Sequence, residues 1–272
     1  MTAEVEQQLD AAAEAIDQAD AILIGAGAGM GVDSGLPDFR GDKGFWNAYP
    51  PFKGKRFAEI SNPVWFKRDP EMAWGFFGHR LNLYRDTKPH DGFQILRRLM
   101  ESRSEGGFVF TSNVDGHFQR SGFDEVQVIE CHGALTHLQC TVPCSHRIWP
   151  STELQIEVDM DAVRATSELP TCEGCGGLAR PNVLMFGDMN WAEDRCSLQQ
   201  QRYETWLESV RSKKLAVIEI GAGTGVPTVR YECERRLGTL IRINPRDIEV
   251  PADGISIPMG GLEALRRIEE RM

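Results

Sequence analysis

No stretch of the chain holds the roughly 18 consecutive apolar residues of a membrane-crossing helix, so no membrane association is expected. Basic side chains are outnumbered, 30 Lys and Arg against 40 Asp and Glu in 272 residues, which leaves a net charge of −10. A chain without a basic face is not a tight nonspecific nucleic-acid binder, although acidity leaves room for basic peptides. The opening Met-Thr-Ala-Glu-Val-Glu-Gln-Gln-Leu-Asp lacks the basic and then apolar profile of a signal peptide, so a cytoplasmic location is expected. Internal repeats and low-complexity tracts are also missing. What is present is ordinary for a globular protein: 41% hydrophobic and 26% charged residues, in a chain long enough for one or two domains.

The stretch that organises the chain runs from Ala21 to Arg40. Ala21-Ile-Leu-Ile24 reads as a short buried strand, and glycines 25, 27, 29 and 31 follow at once. Glycine tolerates positive φ and lets a backbone approach a ligand closely. A strand entering such a turn is where open α/β sheets hold dinucleotide phosphates. By itself the turn serves a purely structural purpose equally well.

Around it the text alternates. Val5, Leu9, Ala12 and Ile16 at helical spacing predict an amphipathic helix over 3–19. Aromatics and prolines crowd residues 41–88, which suits short helices, either as an apolar cover over a site or as an ordinary helical core. Strand-like runs appear at 107–111, 126–129, 183–186, 215–220, 239–243 and 254–257, and an amphipathic helix at 261–271 closes the chain. Short apolar strands alternating with helices indicate a doubly wound parallel α/β sheet of the Rossmann type. Two interruptions divide it. Residues 1–42, 88–138 and 180–272 are expected to form the nucleotide-binding domain, and residues 43–87 and 139–179 a small helical and zinc-binding module.

Seven cysteines in a reducing compartment point to metal or redox chemistry before disulfides. Cys140-Thr-Val-Pro-Cys144 and Cys172-Glu-Gly-Cys175 are two close pairs with 27 residues between them. Two such turns complete a closed tetrahedral zinc site, with a redox dithiol or free thiols as the alternatives. His137 and His146 lie near enough to substitute for one ligand. Cys131, Cys196 and Cys233 stand in apolar or helical text and read as small buried hydrophobes.

Thr111-Ser-Asn-Val-Asp-Gly116 and Cys131-His-Gly133 each follow a predicted strand, which brings their polar groups to the carboxyl edge where ligands bind. His132 has the ordinary acidity, about 6.5, of a group that accepts protons near neutrality. No acidic residue ends a second strand about 20 residues after the glycine loop, which argues against an ordinary dehydrogenase.

Together these blocks resemble the sirtuins. Gly27-Ala28-Gly29 with Ser34-Gly-Leu-Pro-Asp-Phe-Arg40 is similar to the opening signature of that family. Thr111–Asp115, His132-Gly133, the four cysteines, Pro181–Asp188, Gly221–Gly225 and Ile243-Asn244 follow in the family's order. The resemblance implies an NAD-dependent protein-lysine deacylase that transfers the acyl group to ADP-ribose, with zinc and an acylated protein substrate. His132 would deprotonate the nicotinamide-ribose hydroxyl, Asn113 would order the ribose and a water, and Asp115 would recognise the nicotinamide carboxamide. NAD would further meet Gly27, Ala28, Gly29, Asp38, Phe39, Arg40, Ser112, Val114, Gly221, Gly223, Thr224 and Asn244. Cys140, Cys144, Cys172 and Cys175 would hold zinc. The run at Phe186-Gly187-Asp188 would pair with an extended substrate peptide.

Several positions depart from the pattern. Ala26 stands for Thr, Gly31 for Ser and Ser112 for Gln, while Gly221-Ala-Gly-Thr-Gly225 varies a Gly-Thr-Ser loop. Thr111–Phe123 and the Cys-x-x-x-Cys spacing are similar to the macrodomain-linked microbial sirtuins, a group associated with protein ADP-ribosylation and lacking the histidine. An ADP-ribosyltransferase or NAD hydrolase is therefore the second reading, and a silent NAD sensor, which would not need His132, the third. Phe77 and Arg80 fall where sirtuins that remove acidic acyl groups carry a Tyr-x-x-Arg pair. Weak or relaxed activity on succinyl-lysine is the expectation, with a plain surface arginine as its alternative.

Overall fold

The computed structural model describes residues 2–37, 41–142, 144 and 147–272, with the main chain alone at 41–43. Helix α1 (Ala3–Asp17) leads into strand β1 (Ala21–Ala26), followed by a 3-10 turn at Ala28–Ser34. Five helices come next: α2 (Gly41–Ala48), α3 (Phe57–Ile60), α4 (Trp65–Arg68), α5 (Pro70–Asp86) and α6 (Gly92–Glu101). The middle of the chain holds β2 (Gly107–Thr111), α7 (His117–Arg120), β3 (Val128–Glu130), β4 (Gly133–Cys140) and β5 (Ile148–Pro150). A small hairpin, β6 (Val158–Asp159) and β7 (Arg164–Ala165), precedes β8 (Ala179–Val183) and α8 (Asp194–Ser209). The chain ends with β9 (Leu215–Ile220), α9 (Thr228–Glu234), β10 (Thr239–Ile243), β11 (Ile255–Ile257) and α10 (Gly261–Glu269).

β1 lies between β2 and β9, and the six-stranded parallel sheet runs β11-β10-β9-β1-β2-β3. Counted among themselves in chain order, these strands stand 3-2-1-4-5-6, the order of dinucleotide-binding sheets. Every residue of β1 and β9 is buried, as a sheet covered on both faces requires. The pleat divides the side chains. Ile22 and Ile24 join Val109, Ile218 and Ile241 against Leu9 and Ile16 of α1, Phe93 and Leu96 of α6, and Leu265 of α10. Ala21 and Leu23 face the other way, toward Tyr203 of α8 and Val229 and Cys233 of α9. Each such aliphatic side chain removed from water contributes about 1.5–3 kcal/mol.

A second core gathers the aromatic helices and the cysteine-bearing segment. Phe45, Phe52, Phe66, Trp74, Phe76 and Phe77 pack with Leu135, Leu138, Ile156, Val163 and Met185. Trp74 Nε1 donates to Ala179 O at 3.0 Å, tying α5 to β8. Arg164 of the hairpin grips Asp69, whose own carboxylate caps α5 at the Met72 N–H. β8 and β5 flank β4 in an antiparallel sheet.

Three expectations shift. The apolar run predicted as a strand at 183–186 is preceded by the real strand, β8, because the β4 partner residues end at Gly133 opposite Val183. Beyond it the chain turns at Gly187, where φ is +70°. In the run predicted at 126–129, Glu125–Gln127 forms a 3-10 turn, which the Asp124 carboxylate caps at the Val126 N–H, and the strand starts at Val128. Cys131 and Cys196 are only half-buried, whereas Cys233 is fully enclosed against β1.

Candidate active site and zinc centre

The turn after β1 and the turn after β9 interlock at the switch point of the sheet. Gly27 N donates to Ile220 O at 2.9 Å, and Gly29 N to Gly221 O at 3.0 Å. A Cβ on Gly29 would lie 2.6 Å from Gly221 Cα, and one on Gly27 at 2.6 Å from Ala222 Cα. Gly221 itself has φ +61° and stands equally close to Gly29. These glycines are thus needed first to let two backbones touch, and that contact shapes the cavity between the turns.

The end of β2 is strapped to the same loop. Thr111 Oγ1 donates to Ala26 O at 2.9 Å and accepts from Asn113 N at 3.0 Å. Asn113 Nδ2 donates to Gly27 O at 3.0 Å, which fixes its amide beside the glycine turn. Asp115 Oδ1 accepts from His117 N at 2.8 Å and opens the short helix α7. His132 follows β3, and its carbonyl accepts from Leu184 N at 2.9 Å. Burial holds its imidazole below the usual histidine range, opposed by a hydrogen bond to the Ser112 main chain. Its Nε2 stands 3.4 Å from Thr228 Oγ1.

A cavity of about 1080 Å³ joins these groups. Gly27, Ala28, Ser112, Asn113, Val114, Asp115, His132, Gly221, Gly223 and Thr224 all line it. Gly29 and Asn244 are not among its lining residues. Asn244 is wholly buried, donating to Ala222 O at 2.8 Å and accepting from Arg246 N and Asp247 N at 3.0 and 3.1 Å. It supports the loop whose Arg246 and Asp247 do line the cavity. Asp38, Phe39 and Arg40 lie outside the described residues.

The wall also includes residues that sequence reasoning missed, among them Phe57, Ser61, Tyr84, Leu184 and Met189. Arg80 is at the wall and buried, so it is no surface arginine. Its Nε and Nη2 donate to Tyr84 Oη at 3.1 and 2.8 Å, and its guanidinium lies 5.4 Å from the Phe76 and Tyr84 ring centres. Phe77 packs inward, stacked on Phe66, away from any hydrogen-bonding role. Helical i+4 spacing from Arg80 was the signal available for Tyr84.

The four cysteines converge. Cys140 and Cys175 Sγ are 3.6 Å apart, as are Cys144 and Cys172 Sγ, and all four sulfurs lie within 4.8 Å. Zinc–sulfur bonds of about 2.3 Å in a tetrahedron give sulfur–sulfur edges of about 3.8 Å, so the set fits a closed structural zinc site. Main-chain N–H groups of Cys175 and Gly174 draw the Cys172 thiol down to about 7, favouring the thiolate a metal needs. His137 is not part of the cluster; burial pushes its imidazole down to about 4, and its Nδ1 pairs with Thr136 Oγ1 at 3.0 Å. His146 lies outside the described residues.

The strand order, the interlocked glycine turns and the cysteine cluster define a dinucleotide-binding α/β protein with a zinc module. The Sir2 family model matches residues 27–210, and the chain belongs to that family. It is 33% identical over 235 residues to the NAD-dependent protein deacylase of Thermococcus kodakarensis, spanning 86% of this chain and 83% of that protein. With NAD-dependent protein deacylase 1 of Archaeoglobus fulgidus the identity is 31% over 224 residues, 80% of this chain and 79% of the relative. The match to the Aquifex aeolicus deacylase is 35% identical but spans 62% of that protein and 61% of this chain. A solved structure described as a basis for the mechanism and regulation of Sir2 enzymes superposes with TM-score 0.68 at 24% identity, covering 98% of both chains. A Sir2 homologue mutant in complex with ADP-ribose gives TM-score 0.65 at 25% identity, covering 95% of each.

Proposed function

We propose that this chain is an NAD-dependent protein-lysine deacylase that cleaves NAD to nicotinamide and passes the acyl group to ADP-ribose. The observation that carries the reading is the meeting of Asn113, Asp115 and His132 with the two glycine turns on one cavity. NAD supplies an electrophilic ribose carbon when bound there. The turns at Gly27 and Gly221–Thr224 bring main-chain groups and no bulky side chain to the phosphates. Asn113, fixed by the Gly27 carbonyl, orients the nicotinamide ribose, and Asp115 accepts from the carboxamide. His132, kept neutral by burial, takes the proton of the ribose hydroxyl at Nε2. Asp38, Phe39 and Arg40 are assigned to the cofactor by the family pattern, and Asn244 acts through the loop it supports.

The segment at 184–187, which follows β8 and turns at Gly187, is the edge on which an acyl-lysine peptide lies, by strand addition. It is already tethered by Leu184 N to His132 O and by Phe186 N to Ser61 O, so the same segment that receives substrate also touches the base. Residues 1–42, 88–138 and 180–272 act as the NAD-binding domain, and 43–87 with 139–179 as the module that covers the substrate. Cytoplasmic acylated proteins are the partners this reading implies.

Ser112 supports a second outcome. A side chain too short to reach the ribose as a glutamine would leaves room for water or another acceptor, the condition for NAD hydrolysis or ADP-ribosylation. Mass spectrometry of the protein incubated with NAD and an acetyl-lysine peptide separates the readings. Deacetylated peptide with O-acetyl-ADP-ribose supports deacylation; ADP-ribosylated protein, or free ADP-ribose with the peptide intact, overturns it.

A further inference from the structure

His132 touches one side chain that the mechanism above does not use. We infer that Thr228 is a positioning residue for the imidazole, holding Nε2 toward the cavity until a ribose hydroxyl displaces it. Thr228 opens α9 directly after Pro227, with its Oγ1 3.4 Å from His132 Nε2. A neutral imidazole has one N–H and one lone pair, and in the tautomer with the proton on Nδ1 the lone pair that makes His132 a base is on Nε2. Nε2 is the nitrogen that meets Thr228. A hydroxyl can donate to that lone pair and can accept once Nε2 is protonated, which valine or alanine cannot do. The separation sits at the outer edge of a hydrogen bond, weak enough for substrate to replace.

The hydroxyl is placed by packing. A β-branched residue on a helix has few χ1 options. Helix α9 is seated on β1 through buried Val229 and Cys233, in space that Gly25 leaves open; a Cβ there would lie 2.2 Å from Cys233 Sγ. The ring is therefore held between the end of β2 and the start of α9, two elements that flank β1.

The effect on turnover rests on the deacylase reading; the effect on the ring does not. The test uses T228V, close in shape but without the hydroxyl, and T228S, which restores it, in the full-length protein. Imidazole nitrogen resonances of His132, assigned by their loss in H132A, should shift in T228V and return in T228S. In deacetylation, T228V should lose roughly two- to tenfold in kcat with the KM for NAD unchanged, and T228S should recover it. Unaltered His132 signals in T228V overturn the inference, as does a T228S variant that behaves like T228V. A wild-type protein that deacylates nothing defeats the deacylase reading, and the ring signals still decide the role of Thr228.

Discussion

Replacing Gly221 by alanine is expected to damage both stability and NAD binding, and the structure gives the size. Gly221 has φ +61°, where a non-glycine residue costs about 1–2 kcal/mol. The new Cβ would also lie 2.4 Å from Gly29 C and 2.5 Å from Met30 N. Those neighbours are main chain and cannot yield by changing rotamer, so an overpacking cost of about 1–3 kcal/mol is added. The sum, about 2–5 kcal/mol, corresponds to a fall in Tm of about 5–15 °C for a chain of this size. Relief by separating the two turns would open the cavity, so NAD affinity should fall at least tenfold by isothermal titration. Gly225 is the control: it lies on the same loop, no atom of the described residues stands within 4 Å of its Cβ position, and its φ is not positive. G225A should keep the wild-type Tm. A G221A protein that melts and binds NAD like wild type, or a G225A protein as damaged as G221A, would refute the interlock.

Removing zinc should unfold the segment around Cys140 and Cys172 and lower the Tm, since metal binding at such sites contributes about 10 kcal/mol or more to folding; elemental analysis before and after chelation, with circular dichroism, checks this. Half-buried His137 makes stability depend on acid: its folded value of about 4 lies below an unfolded value of about 6.5, so the unfolded chain binds more protons between them. Stability should therefore be full above about pH 6.5 and fall by up to about 3 kcal/mol as pH drops to about 4, a loss that H137N removes in denaturant titrations. Because burial also depresses His132, the acid-side fall of kcat/KM for deacetylation should be centred below the ordinary histidine value of about 6.5; a fall centred above pH 7 would contradict that placement. Arg80, committed to the Tyr84 hydroxyl, should support only weak desuccinylation, and R80M should lower succinyl turnover more than acetyl turnover on matched peptides.

The parallel sheet was legible because β1, β2, β9 and β10 are short apolar runs, each next to a glycine-bearing turn. The cysteine cluster was legible because its spacing is chemical, with each pair confined to one turn. β8 was not. Ala-Arg-Pro-Asn-Val reads as loop, yet every residue is buried, and some of its polar groups find partners elsewhere in the chain. Arg180 pairs with Asp188 at 2.7 Å, and Asn182 donates to Gln139 Oε1 at 2.9 Å. Propensity carries no trace of such tertiary satisfaction. The glycine turns were found, but the reason for Gly29 was not, since its contact lies in the turn after β9, nearly 200 residues away. Asn244 shows the same limit: its position at a strand end was readable, while its inward orientation follows from the loop it holds.

The central claim is that His132 is the base of a reaction begun in the cavity between the glycine turns. Wild-type protein and H132A, each with NAD and acetyl-lysine peptide, should differ in one respect only. Both should bind NAD with similar affinity, while the rate of peptide deacetylation falls by about 10²–10⁴ in the variant. Deacetylation at the wild-type rate by H132A, with NAD binding intact, would contradict the account.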